Sequence, residues 1–129
     1  MPAALPERRY HHLIADDSIP FAHRLLWVLL WEGELRLSEL LSLDVRDVVV
    51  EASTAFVEFP KERVPKAVPL SANARLMLRF AIDGRSDGPL FVDEAGRPLR
   101  REAAARQARV AGVSIHDFRL GGRAHRVNS

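Results

Sequence analysis

The spacing of apolar residues along this 129-residue chain changes several times, and each change predicts an element. The densest apolar stretch lies in "PFAHRLLWVLLWEGE", residues 20–34, where hydrophobic side chains nearly encircle a helical wheel. A helix apolar on all sides belongs in the middle of a core, so this one is expected to be central, with Ser18 as its cap and Pro20 in its first turn. Leu37, Leu40 and Leu41 follow at i, i+3 and i+4 and predict a second helix that fades near Asp44. The period then shortens. "DVVVE" (47–51), "AFVEF" (55–59) and "KAVPL" (66–70) are β-rich and separated by short polar pieces, which predicts a three-stranded antiparallel meander with Pro69 at an edge or an end.

Helical spacing returns at Ser71, which caps a helix through about Ala81 carrying Leu76 and Phe80 four apart. "DGRSDGP" reads as a loop, and "LFVDEAGRPL" as a short extended piece turning at residues 94–96. Residues 100–111 form a strong helix stopped by Gly112, and Ser114 caps a last helix carrying His116 and Arg119. Residues 1–17, with Pro2 and Pro6, read as a loose lead-in, and residues 121–129 as an irregular tail, because Gly121 and Gly122 each weaken a helix by ~1 kcal/mol. The expected folded unit is 18–120, an α+β domain that is mainly helical.

Composition narrows the class without naming a function. Apolar residues make up 47% and charged residues 28%, the balance of an ordinary globule with one core. The absence of cysteine excludes disulfides and thiolate metal sites, and the five histidines lack metal-ligand spacing, so no metal or cofactor is expected. The longest apolar run, residues 25–31, is far short of the ~20 needed to span a bilayer, and no charged-then-apolar leader opens the chain, so the expectation is a cytoplasmic protein. Net charge is only +2, yet residues 97–129 hold eight arginines against Glu102 and Asp117. A phosphate-bearing partner fits against that last third, although a solvated arginine-rich helix would look the same.

Four short pieces then stand out. Arg36 and Glu39 lie three apart in "GELRLSELLSL", on one face of the second helix; Lys61 opens the turn in "FPKERVPKAVPL"; His116 and Arg119 share a face in "SIHDFR". Each alone has an ordinary explanation: a surface ion pair, a solvated turn lysine, a histidine satisfied at a helix start. In this order they resemble the catalytic domain of tyrosine recombinases, the phage integrase family. "EGELRLSELLSLDVRDV" is similar to that family's "TGLRxSELLxLxWxDI", with one extra residue beside Gly33; "PKERVPKAVPL" is similar to its "GKGxKxRxVPL"; and "SIHDFR" to its "xxHDLRH". The resemblance runs over roughly residues 20–120 and implies an integrase-type catalytic core.

The resemblance also implies roles. Arg36 and Arg119 would grip the equatorial oxygens of a DNA phosphodiester, each guanidinium giving two parallel hydrogen bonds. Glu39 would hold the Arg36 guanidinium, Lys61 would protonate the leaving oxygen, and His116 would move a proton or bind the phosphate near a helix N-terminus. Arg36, His116 and Arg119 should therefore converge on one concave, positive surface. DNA, through its phosphate backbone, is the implied partner, with a full-length recombinase or a second copy of this chain as protein partners. The family's nucleophilic tyrosine is not matched: ten residues follow Arg119, none is tyrosine, Leu120 replaces the motif's second histidine, and His125 is too near Arg119 to match its later one. Tyr10, the single tyrosine, precedes the first motif and reads as lead-in or packing. The expectation is a catalytic-like domain truncated before its nucleophile that does not cleave DNA alone, with a non-enzymatic DNA- or partner-binding regulator and a gene remnant with an out-of-frame tail as the other readings.

Overall fold

The computed structural model describes residues 5–52, 54–58 and 64–127. Helix α1 (Glu7–Ile14) leads into α2 (Phe21–Gly33) and the short α3 (Leu37–Leu41). Strands β1 (Val48–Val50), β2 (Ala55–Glu58) and β3 (Pro65–Val68) come next, followed by α4 (Ala72–Ile82), α5 (Arg101–Val110) and α6 (Ile115–Val127).

The all-round apolar helix is central, as its sequence requires. From Leu25 to Trp31 every side chain of α2 is buried, and α1, α4 and α6 all pack on it. Trp27 stacks on Phe118 of α6 with ring centroids 4.8 Å apart. Both rings are fully buried, so truncating either to alanine would cost about 3–5 kcal/mol. Pro20, not Ser18, is the N-cap, and its carbonyl accepts from the His23 and Arg24 N–H groups. Ser18 is occupied elsewhere: its N–H and hydroxyl both donate to Asp16 Oδ1 in a tight local turn, at 2.9 and 2.6 Å.

The sheet is the expected meander in the order β1-β2-β3, antiparallel throughout. Val48 pairs with Val57 and Ala55 with Val68, which puts these four buried side chains on the core face. Strand β3 ends immediately before Pro69, and its outer positions Lys66 and Ala67 are exposed, as suits an edge. Ser71 then caps α4, its hydroxyl accepting from Ala74 N–H at 3.1 Å, while Glu32 of α2 accepts from both the N–H and hydroxyl of Ser71. Among the described residues no helix is long and apolar enough to cross a membrane.

Two further expectations need correction. The loose lead-in is helix α1, held because Tyr10 inserts under α6: its ring stacks on Trp31 and meets Phe118 edge-on. The irregular tail continues α6 through Val127. Its two glycines are contact points rather than breaks, since a Cβ on Gly122 would overlap the Trp31 carbonyl oxygen and one on Gly121 would lie 2.5 Å from the Trp31 ring. The folded unit therefore extends beyond 18–120 on both sides. Helix α4 buries Ala74 and Leu78 and leaves Leu76 66% and Phe80 70% exposed.

Candidate functional site

Arg36 sits at the N-cap of α3 rather than within it, in an extended backbone conformation. Glu39, at the third helical position, reaches back, and its Oε1 accepts from the Arg36 backbone N–H at 2.8 Å. This is a correction to the expected grip on the guanidinium: Glu39 fixes Arg36 through its main chain. The motif register needs correction as well. Helix α2 ends at Gly33, and Glu34 takes a left-handed conformation with φ 55°. Glu34 thus stands two residues before Arg36, where "TGLR" has its glycine, and no residue is inserted. A non-glycine residue in this region costs roughly 1–2 kcal/mol.

What offsets that strain comes from α6. The Glu34 carboxylate pairs with Arg126 at 3.0 Å and Arg123 at 3.4 Å, and its carbonyl accepts from Arg119 Nε at 3.4 Å. Arg126 also donates to the Trp31 and Glu32 carbonyls at the C-terminal end of α2. Cations there satisfy orphan carbonyls and complement the helix dipole. The arginine hydrogen bonds and charges hold the Glu34 carboxyl below its ordinary pKa.

Between α3, α5 and the first turn of α6 opens a cleft of about 500 Å³. Arg36, His116 and Arg119 all line it, so the structure brings together three residues that the sequence separates by up to 83 positions. Arg101 and Arg109 join them from α5, and among the described residues no carboxylate lines the cleft. Asp117, next to His116 in sequence, instead supports the start of α6, where its Oδ2 accepts from Ser114 N–H at 2.8 Å. Four guanidiniums and an imidazole beside a helix N-terminus make a site for an anion with several oxygens. A larger cavity of about 940 Å³, near Phe21, Phe80 and His23, contains none of the expected residues and is lined with both charge signs, so size does not identify the site.

The remaining expected residues divide differently. Lys61 falls within 59–63, outside the described residues. His125 pairs with Glu7 of α1 at 3.1 Å, a contact between helices away from the cleft lining. Tyr10 is a core residue; burial first, and the Glu32 charge second, push its hydroxyl pKa far upward. Among the described residues no group of three or more His, Asp or Glu side chains is placed to hold a metal ion. Sequence reasoning missed Arg101 and Arg109, although with Ala105 they lie at i, i+4 and i+8 on one face of α5.

A mainly helical domain with a three-stranded antiparallel meander is a fold found among solved recombinases and integrases. The fold is similar to that of XerA recombinase, with a TM-score of 0.73 at 23% identity over 92% of this chain and 47% of that one. It is similar also to lambda integrase, solved as a tetramer bound to a Holliday junction, with a TM-score of 0.70 at 19% identity over 95% of this chain and 41% of that one. Residues 6–120 match the phage integrase family, and the chain belongs to it. In sequence it is 32% identical over 105 residues to the tyrosine recombinase XerC of Azotobacter vinelandii (strain DJ / ATCC BAA-1303), covering 78% of this chain. The chain spans about a third of that relative's length, 35%.

Proposed function

We propose that this chain supplies the phosphate-gripping part of a site-specific DNA recombinase. The observation that carries this reading is the convergence of Arg36, His116 and Arg119 on one cleft whose described lining holds no carboxylate. In strand cleavage by this class of enzyme, charge grows on the equatorial oxygens of the phosphoryl group as a hydroxyl nucleophile attacks and the 5′ oxygen leaves. Arg36 and Arg119 are the forks that meet those oxygens, and preorganised donors of this kind lower a barrier by ~3–4 kcal/mol each. His116 donates to a phosphate oxygen or moves a proton, and Arg101 and Arg109 engage flanking phosphates. Lys61 is assigned the leaving oxygen on its place in the hairpin motif.

Nothing in these 129 residues serves as the attacking phenolate. Tyr10 is packed between Trp31 and Phe118, its hydroxyl without a partner among the described residues and its ionisation disfavoured by burial. On its own the chain binds DNA without cutting it. A second reading, a regulator that binds another recombinase or a second copy of itself, is supported by the exposed apolar pair Leu76 and Phe80 on α4.

Fluorescence anisotropy with a labelled duplex tests the first reading. Binding is expected at low salt, weakening steeply as salt rises. Arg36→Ala and Arg119→Ala should each lower affinity about tenfold or more. No binding at about 50 mM salt, or binding indifferent to both substitutions, would overturn it.

A further inference from the structure

The strained backbone at Glu34 and the arginines of α6 meet at a single residue. We infer that Glu34 is a positioning residue for Arg119: its left-handed backbone aims a carbonyl at Arg119 Nε while its carboxylate clamps Arg123 and Arg126, fixing α6 beside the cleft. The consequence for DNA rests on the phosphate-gripping reading above.

Three features support the assignment. First, Glu34 keeps a left-handed conformation (φ 55°, ψ 22°) where glycine would sit without strain. Some interaction of its side chain must then justify the residue, and that side chain is paired with Arg123 and Arg126. Second, those two arginines lie four and seven residues after Arg119, on the same face of α6, so holding them sets the rotation of the helix that carries Arg119. Third, the contact with Arg119 uses Nε, at 3.4 Å from the Glu34 carbonyl oxygen. Anchoring a guanidinium through Nε leaves both terminal amino groups for a bidentate bond to phosphate. Glu34 also lies two residues from Arg36, so one short segment sets the position of both arginines.

Glu34→Gly relieves the backbone while removing the clamp, so the thermal midpoint should stay within about 4 °C of wild type. Arginine-selective ¹⁵N spectra of the full chain, with the Arg119 Nε–H signal assigned through Arg119→Lys, read the latch without DNA. In wild type that signal should be protected from solvent exchange. In Glu34→Gly it should broaden or vanish, and Glu34→Gln, which keeps a neutral acceptor in place, should fall between. Duplex affinity should drop about fivefold in Glu34→Gly, less than in Arg119→Ala. An Arg119 signal equally protected in wild type and both variants would overturn the latch, whatever DNA binding does. A wild-type chain that shows the protected signal, loses it in Glu34→Gly, and still binds no DNA would sustain the latch and overturn the phosphate-gripping reading instead.

Discussion

The ring of Tyr10 lies flat against that of Trp31, centroids 4.0 Å apart and planes within 4°. This stack joins α1 to the C-terminal end of α2, and Phe118 of α6 closes it from the side. Removing the ring in Tyr10→Ala should cost about 3–4 kcal/mol and lower the thermal midpoint sharply. Tyr10→Phe should be neutral or stabilising by up to ~1 kcal/mol, because the hydroxyl is buried without a partner among the described residues. A chemical melt of the three proteins checks the order.

The same burial predicts the outcome of a cleavage assay. Incubated with a labelled, nicked duplex, the chain should give no covalent protein–DNA band on a denaturing gel. A band present in wild type and absent in Tyr10→Phe would make Tyr10 a nucleophile and contradict its place in the core.

Gly121 and Gly122 supply a sharper stability test. Alanine has the higher helix propensity by ~1 kcal/mol, so on a solvated tail both substitutions would stabilise. Here a Cβ on Gly122 would overlap the Trp31 backbone. Gly122→Ala should therefore destabilise by about 2 kcal/mol or more, as overpacking against main chain does. A rise in thermal midpoint would show that α6 does not dock there.

Much of this architecture was legible from residue spacing. The central α2, the meander, the Ser71 cap and the Gly112 stop follow from local chemistry that leaves few alternatives. Arg36, His116 and Arg119 were legible as motif residues, because their types and order resemble the integrase boxes. What spacing could not convey was contact between distant segments. Tyr10 looks like part of a polar lead-in until Trp31 and Phe118 are placed around it. Gly121 and Gly122 read as helix weakeners because the backbone they approach lies about 90 residues earlier in the chain. Leu76 and Phe80 share a face with helical spacing, yet α4 turns Ala74 and Leu78 inward where it packs on α2. The pairing of Glu34 with Arg123 and Arg126 joins segments about 90 residues apart and leaves no mark in local spacing.

Stability should fall in two stages as the pH is lowered. His23 is 8% exposed, and burial lowers its pKa from the ordinary 6.5, with Glu94 opposing the shift. Below pH 6.5 the unfolded chain takes up a proton that the folded one resists, so stability falls as pH drops toward the depressed value. The carboxylates act lower down. Asp44 is held below its ordinary 3.8 mainly by the N–H and side chain of Arg46, and Glu34 below 4.5 by Arg126 and Arg123. Their contribution is intact above those ordinary values and is lost as pH falls through the lowered ones. Urea midpoints measured from about pH 8 to 3 should show a shallow decline beginning near 6.5, absent in His23→Phe, and a steeper one below about 4.5.

The arginines of α5 allow a distinction between gripping and reading DNA. Arg101 and Arg109 line the same cleft as Arg36 and Arg119, from one face of a helix whose other side is buried through Ala104 and Ala108. A guanidinium that meets phosphate releases about one condensed counterion, and for duplex DNA the slope of log affinity against log salt is about −0.9 for each phosphate neutralised. Arg101→Ala and Arg109→Ala should each make that slope shallower by roughly one. They should also weaken binding by a similar factor on unrelated duplexes, since phosphates carry no sequence information. The double substitution should be close to additive in slope, because the two side chains are about two helical turns apart. Salt titrations on two duplexes of different sequence measure both quantities. If either substitution alters the ratio of affinities between the duplexes while leaving the slope unchanged, that arginine reads base edges, and the cleft grips its phosphate with Arg36, Arg119 and His116 alone.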